Sequence, residues 1–184
     1  WWGVIGVLYF KSVSFVSPLE LTIHRTVWTA FLLVFSISIY SKWNDVLIIL
    51  KNFRTTSLLI LTSILIVGNW FTWIYAVTVN KLIDAAFGYY IFPIISVFFG
   101  ILFLKESHNK MKLFSIALVI IAVIYLLLDL NTTPWIGLIV ALTWSFYTLI
   151  RKKIKISTDV GLFIESAFMT PFAIIAFFFI VKSG

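Results

Sequence analysis

Residues 85–104 form an uncharged, mostly apolar run, with Asp84 before it and Lys105 after it. About 20 apolar residues, at a helical rise of 1.5 Å each, cross the roughly 30 Å hydrocarbon core of a bilayer. The run therefore predicts a transmembrane helix. The whole chain is 62% hydrophobic and 11% charged, whereas a soluble domain carries about 25% charged residues. We therefore expect the other segments to lie in the membrane as well.

Small and helix-breaking residues inside this run predict close packing and a bend. Ser96 and Gly100 are four apart, a small-residue pair that lets a second helix approach closely, and Gly88 adds another small position. Pro93 leaves a backbone carbonyl without its usual donor one turn earlier, near Tyr89, and so permits a kink. The sequence therefore predicts that this helix packs within a bundle.

Seven apolar segments divide the chain, which predicts an all-α bundle of about seven transmembrane spans. They cover approximately residues 1–10, 19–40, 55–79, 85–104, 113–130, 135–150 and 160–181. The first is too short to span alone, and the chain lacks an initiator Met, so we expect an incomplete N-terminus. A polar loop at 41–54, with an interfacial middle, and tight turns at 80–84 and 131–134 are expected between segments.

Basic residues are concentrated in alternate loops. Three loops, at 41–54, 105–112 and 151–159, carry ten of the 14 basic residues: Lys42, Lys51, Arg54, Lys105, Lys110, Lys112, Arg151, Lys152, Lys153 and Lys155. By the positive-inside rule, these loops are predicted to face the cytoplasm. The excess of +7 is thus a topology signal, and a nucleic-acid partner is not expected.

Three ionisable residues open the second segment. Glu20 and His24 are four apart and share a helix face, and Arg25 lies about 100° further round. Charged residues within spans usually face a bundle interior or a water-filled cavity. These residues are therefore predicted to line a substrate pathway. The alternative is an interfacial cluster whose side chains snorkel outward.

Other polar and aromatic residues are candidates for the same pathway. Asn69, in mid-span, is expected either to bond another helix, the favoured alternative, or to contact a solute. Trp70 and Tyr89 are further candidates, although the tryptophans of this segment are also typical of packing. Glu165 is expected either to pair with the basic loop before it or to line the pathway, and Asp84 is expected to cap its own helix.

The sequence contains none of the common enzyme signatures and predicts neither a cofactor nor a metal site. It contains no Cys, and its two His residues, His24 and His108, are far apart; His108 lies in a basic loop and is expected to be solvated. A membrane enzyme is therefore the least favoured function.

A weak internal repeat is also present. Trp2 and Lys11 are nine residues apart, as are Trp144 and Lys153, and each pair brackets an apolar run. Under the predicted topology the two runs cross the membrane in opposite directions, which is typical of the inverted repeats of secondary transporters.

Five motifs together resemble the RarD proteins of the EamA branch of the drug/metabolite transporter superfamily. They are ELTIHRTVW at 20–28, GNWFTWIYAV at 68–77, LIDAAFGYYIFPI at 82–94, FLKE at 103–106 and YTLIRKKI at 147–154. The resemblance implies a bacterial inner-membrane permease of ten helices in two inverted five-helix repeats. It implies a first repeat over residues 1–130 and the beginning of a second over 131–184.

We therefore predict a permease that moves a small organic solute by alternating access. Its expected partners are the lipid bilayer and the solute, with protons as a candidate coupling ion and a homodimer as a candidate assembly. The alternative is a membrane binding or assembly protein that does not transport, or an inactive truncated transporter.

Overall fold

The computed structural model describes residues 2–105, 109–129 and 134–183, and it confirms the all-α prediction. Within these residues, a π-helical turn, Trp2–Gly6, leads into eight α-helices. They are α1 (Val7–Ser12), α2 (Pro18–Ile39), α3 (Trp43–Lys51), α4 (Phe53–Thr78), α5 (Leu82–Leu104), α6 (Lys110–Asp129), α7 (Trp135–Ile154) and α8 (Thr158–Ser183). Trp1, Glu106, His108, most of the 131–134 turn and the centre of the 105–112 loop lie outside the described residues.

All seven apolar segments contain helix, but the helices differ in their capacity to cross a bilayer. Among the described residues, four are long and apolar enough to do so, namely α2, α4, α5 and α8. Shorter apolar helical stretches cover Gly3–Ser12 and Leu113–Leu126. The last turn of α7 carries Arg151, Lys152 and Lys153, which shortens its apolar part.

Side-chain caps define where two of the long helices begin. Pro18 occupies the first turn of α2, and the Ser17 hydroxyl accepts a hydrogen bond from the Glu20 amide at 3.2 Å. At α4, the side-chain oxygen of Asn52 (Oδ1) accepts a hydrogen bond from the Thr55 backbone amide at 3.1 Å. Just before it, the segment predicted as a polar loop contains α3, because Val46 has a buried position against α4 and α8.

Two long helix pairs and a central helix form the bundle. The α5–α7 and α2–α8 contacts are the most extensive, and α4 packs against α2, α7 and α8. The helices α5 and α7 approach each other closely at Gly88 and Gly137, where a Cβ added to Gly88 would collide with the Gly137 carbonyl oxygen. Ser96 and Gly100 also face α7, beside a cavity of about 260 Å³. Pro93 lies within α5, which continues through it as a helix.

The three basic loops lie at one end of the bundle. Lys42, after α2, forms an ion pair with Asp159 in the first turn of α8, at 2.6 Å. The Lys153 amine, in the last turn of α7, lies 5.7 Å from the ring centre of Phe103 near the end of α5. At the opposite end, Lys11 donates a hydrogen bond to Asn80. This clustering fits the predicted cytoplasmic placement of the loops, which remains a prediction.

The expected role of Asp84 was wrong. Lys81 occupies the position before α5, whereas Asp84 lies in the first turn of that helix and does not cap it. The Asp84 carboxylate instead accepts a hydrogen bond from the backbone amide of Gly137, at 3.2 Å, in the first turn of α7. Unpaired amides at a helix start favour a carboxylate, so Asp84 stabilises the neighbouring helix and joins α5 to α7.

Candidate functional site

Four of the predicted pathway residues surround one cavity of about 180 Å³ between α2, α4, α5 and α7. The residues that line it are Arg25, Asn69, Trp70, Trp73, Tyr89 and Trp144. Each helix contributes at least one side chain, so the cavity depends on the packing of the bundle. Of the described residues that line it, four have aromatic rings and one carries a positive charge.

Arg25 and Trp70 are in contact at this cavity. The Arg25 guanidinium carbon lies 4.1 Å from the centre of the Trp70 ring. A guanidinium over an indole face is attracted by the negative face of the ring, and the attraction is stronger where water is excluded. Trp70 is buried, with 8% of its surface exposed. The contact therefore holds the charge at a fixed place in the apolar bundle.

A larger groove of about 680 Å³ lies beside the cavity, between the N-terminal helical segment and α2. Arg25 lines both spaces. Phe10 of the groove and Trp73 of the cavity meet edge to face, with ring centres 5.7 Å apart. The groove and the cavity are therefore neighbours that share one cationic side chain and one aromatic contact.

The structure separates the three ionisable residues that the sequence grouped together. His24 is exposed, lines the groove and meets Phe177 of α8 edge to face, with ring centres 5.5 Å apart. Arg25 points toward α4, where it contacts Trp70. Glu20 is half-buried in the first turn of α2, where a negative charge is favourable. Arg25 is therefore the member of this group that lines the cavity.

Asn69 bonds a neighbouring helix, as the favoured alternative expected. Its amide nitrogen donates to the Val140 carbonyl oxygen at 3.1 Å and to the Thr143 hydroxyl at 2.9 Å, both in α7. The residue is 4% exposed. Hydrogen bonds between spans satisfy polar groups that hydrocarbon cannot. Asn69 thus fixes α4 against α7 while its side chain also borders the cavity.

Glu165 belongs to a polar cluster outside the cavity, nearer the basic loops, which we call the Glu165 cluster. Its carboxylate accepts hydrogen bonds from the Thr62 hydroxyl at 2.6 Å and from the Tyr147 hydroxyl at 3.1 Å. The Arg151 Nε lies 3.6 Å from the same carboxylate, and Glu165 is completely buried. A buried charge is tolerated when it is paired and hydrogen-bonded. The alternative of pairing with the basic loop thus describes the observed geometry.

Gly161 makes the Arg151 position possible. The Arg151 guanidinium lies directly over Gly161, in the space that any side chain at that position would fill. The Arg151 side chain is 11% exposed. The absence of a side chain at Gly161 therefore allows the Arg151 side chain to extend from the last turn of α7 to Glu165.

An aromatic stack connects the cavity to the Glu165 cluster. Trp144, which lines the cavity, stacks on Tyr147 with ring centres 5.2 Å apart and an interplanar angle of 21°. Tyr147 in turn donates to Glu165. Along α4, Thr62 and Asn69 are seven residues apart, or about 10 Å at the helical rise. A movement of α7 would therefore change the contacts of both the cavity and the Glu165 cluster.

Sequence reasoning missed several residues of the cavity and of the Glu165 cluster. Trp73 was expected chiefly to pack, and Trp144 was noticed for the internal repeat alone, yet both line the cavity. Thr62 and Tyr147 were not identified, although both bond Glu165. A threonine or tyrosine in a span often only packs or bonds its own helix. What distinguishes these two is the carboxylate on another helix, which the sequence alone does not place beside them.

Residues 1–128 match the EamA-like transporter family. The chain belongs to that family. It is similar to an uncharacterized transporter of Vibrio cholerae, 38% identical over 95% of this chain and 57% of the relative. The RarD proteins of Salmonella typhi and Escherichia coli are 33% and 32% identical, each over 100% of this chain and 62% of the relative. No solved structure matches the chain significantly.

These relatives confirm the resemblance to the RarD proteins. The chain spans about three fifths of the length of the curated relatives it matches. The EamA-like match includes the cavity residues of α2, α4 and α5, whereas Trp144 and Glu165 lie beyond it. Among the residues that the structure describes in this EamA-like chain, no cluster of His, Cys, Asp or Glu is suited to hold a metal ion.

Proposed function

We propose that this chain forms part of a permease that moves a small organic solute across the bacterial inner membrane by alternating access. One observation carries the proposal: Arg25, Asn69, Trp70 and Tyr89 come from three helices and surround one cavity inside a bundle of transmembrane length. Polar and charged side chains that face such an interior mark solute or ion pathways. The EamA-like membership supports transport over an assembly role.

In this proposal the cavity is the solute-binding site, and it lies in the half of the bundle away from the basic loops. Trp70 and Trp73 lie in the last third of α4, and Arg25 lies in the first half of α2. Both positions are nearer the end opposite the basic loops. If those loops are cytoplasmic, the cavity and the adjoining groove receive solute from the periplasmic side.

In the same proposal, the Glu165 cluster closes the solute pathway on the side of the basic loops. Three helices meet there through Thr62, Tyr147, Arg151 and Glu165. The Lys42–Asp159 ion pair lies at the same end. Alternating access requires these contacts to separate when the site opens inward. Protonation of Glu165 would weaken its attraction to Arg151, which makes this carboxylate the candidate coupling site, beside Glu20 and His24.

The packing of α2 and α8 supports the proposed repeat division at residue 130. Each is the second span of its repeat, and the two form one of the most extensive contacts in the bundle. Equivalent elements that lie on a pseudo-twofold axis contact each other in this way. The weak sequence repeat and the helix packing therefore favour the same arrangement.

The test is transport by the complete protein that contains this chain, reconstituted in proteoliposomes. A panel of labelled organic solutes is screened across pH, and the variants Glu20→Gln, His24→Gln, Arg25→Lys and Glu165→Gln are normalised to protein content. We expect Arg25→Lys and Glu165→Gln to reduce transport at least ten-fold. Arg54→Lys, at an exposed arginine near the start of α4, is the matched control and should retain normal rates. Normal transport in all four pathway variants contradicts the proposed site.

A further inference from the structure

We propose that the cavity between α2, α4, α5 and α7 selects a small organic anion with a planar, ring-sized body. This inference rests on the proposed function, since it names the class of solute that the same site would take. It is argued from the charge of the cavity, the shape of its walls and the hydrogen bonds that its polar groups already make.

The charge at the cavity is positive. Among the described residues that line it, Arg25 is charged and none is acidic. The groove beside it, which Arg25 also lines, likewise has no acidic residue among its described lining residues. Charge in a low-dielectric site acts more strongly than in water. A cationic solute would thus meet repulsion on entry, whereas an anion would be attracted.

The Arg25 contact with Trp70 is compatible with binding a carboxylate. The indole engages the face of the guanidinium, whereas carboxylate oxygens are bound by N–H groups that lie in its plane. One arginine can therefore stack on an aromatic ring and hold an anion. Tyr89 borders the same cavity, and a tyrosine hydroxyl is another O–H donor.

Asn69 does not compete for the anion. Its two amide hydrogens are directed to Val140 and Thr143, so its remaining capacity at the cavity is that of an acceptor oxygen. An acceptor repels a carboxylate but receives an N–H or O–H from a solute. The anionic end of the solute is therefore assigned to Arg25 and Tyr89, away from Asn69.

The walls and the volume select a flat apolar body. The rings of Trp70, Trp73, Tyr89 and Trp144 line a space of about 180 Å³. A protein cavity of about 150 Å³ holds one benzene ring, so this space accommodates one ring and a small substituent. Aromatic rings favour offset or edge contacts with another ring. A monocyclic aromatic carboxylate is the simplest molecule that satisfies both size and charge.

The experiment measures binding by the purified complete protein that contains this chain, so it does not depend on transport. Benzoate, benzamide and benzylamine share one ring and differ in charge, and their affinities are measured by calorimetry or tryptophan fluorescence. A hydrogen bond to a charged group favours benzoate over benzamide by about ten-fold or more, and benzylamine should bind weakest. Arg25→Gln should remove the preference for benzoate, whereas Arg54→Gln, the exposed control, should leave it unchanged.

Two further variants keep the test valid if Arg25→Gln misfolds. Arg25→Lys retains the charge and should weaken benzoate while still favouring it over benzamide, because lysine lacks the planar fork. Tyr89→Phe retains the ring and should weaken benzoate alone. Equal affinities for the three probes, or a benzoate preference that survives at Arg25→Gln, would overturn the inference.

A lipid phosphate is the other anion that Arg25 could bind, and nanodiscs distinguish the two sources. We expect benzoate to bind equally in phosphatidylcholine and phosphatidylglycerol nanodiscs. Binding that disappears with phosphatidylglycerol would assign the arginine to lipid and overturn the solute assignment. The outcomes also distinguish this inference from the proposed function. Transport of neutral solutes without benzoate binding would refute this inference alone. Benzoate binding without transport of any solute would refute the proposed permease alone.

Discussion

Replacing Gly88 by alanine should separate two packed helices. A Cβ at this position would lie 3.1 Å from the Val140 Cβ and would collide with the backbone carbonyl of Gly137. A flexible side chain can move out of such a contact, but a carbonyl within α7 moves only with its helix. Overpacking of a core typically costs about 1–3 kcal/mol, and a clash with backbone belongs at the upper end of that range.

Gly68→Ala provides a matched control for this variant. It introduces the same methyl group in mid-helix, but a Cβ there has no neighbouring atom within 4 Å. Each variant gains the same helix propensity, about 1 kcal/mol. Gly88→Ala should therefore lose about 2 kcal/mol, Gly68→Ala should gain up to about 1 kcal/mol, and their difference of about 3 kcal/mol is the cost of the clash.

The assay is thermal unfolding of both variants and the parent chain in the same detergent. At about 2–4 °C per kcal/mol for a chain of this size, the two midpoints should differ by roughly 6–12 °C, with the parent between them. Tryptophan fluorescence at 20 °C checks that both variants begin folded. Equal midpoints for the two variants would refute the close approach of α5 and α7 at Gly88.

Three further predictions concern the ends and the centre of the bundle. A cysteine at Asn109 should resist an impermeant maleimide in intact cells and react after permeabilisation, and labelling without permeabilisation contradicts the topology. Gly161→Ala should displace Arg151 from Glu165 and so remove the same interaction as Arg151→Gln. In a double-mutant cycle, the double variant should therefore lose less unfolding free energy than the sum of the two single variants. Additive losses would contradict the displacement. Asn69→Leu should cost about 0.6–1.7 kcal/mol in unfolding, and an unchanged stability would show that its bonds to α7 do not hold the helices together.

Local signals in the sequence located the long helices well. The apolar run at 85–104 corresponds to α5, Leu82–Leu104, and the two share their C-terminal end. The N-terminal end differs because Asp84 lies inside the helix, where the start of α7 provides its partner. The helix α3 was missed because its burial depends on contacts with α4 and α8, which a short apolar run between polar residues does not reveal.

The candidate site was predictable residue by residue but not as an arrangement. Arg25 and Trp70 were each identified, since charged and polar groups are unusual in a span. Their contact depends on the rotation of α2 relative to α4, which helical periodicity within either segment leaves undetermined. The spacing that grouped His24 with Glu20 holds along one helix, whereas the structure directs His24 toward Phe177 and Arg25 toward Trp70.

Lysine occupies the left-handed turn that ends α5 and the one that ends α7, with φ of 52° at Lys105 and 54° at Lys155. Glycine is the usual residue there, because an L-residue in this conformation loses about 1–2 kcal/mol. A change to glycine would thus favour folding at both turns, yet it would remove two of the charges that the positive-inside rule predicts to orient the helices during insertion. Natural variants at these turns should be compared by membrane insertion as well as by stability. A glycine variant that is more stable in detergent is expected to insert with a larger fraction of its molecules in the inverted orientation.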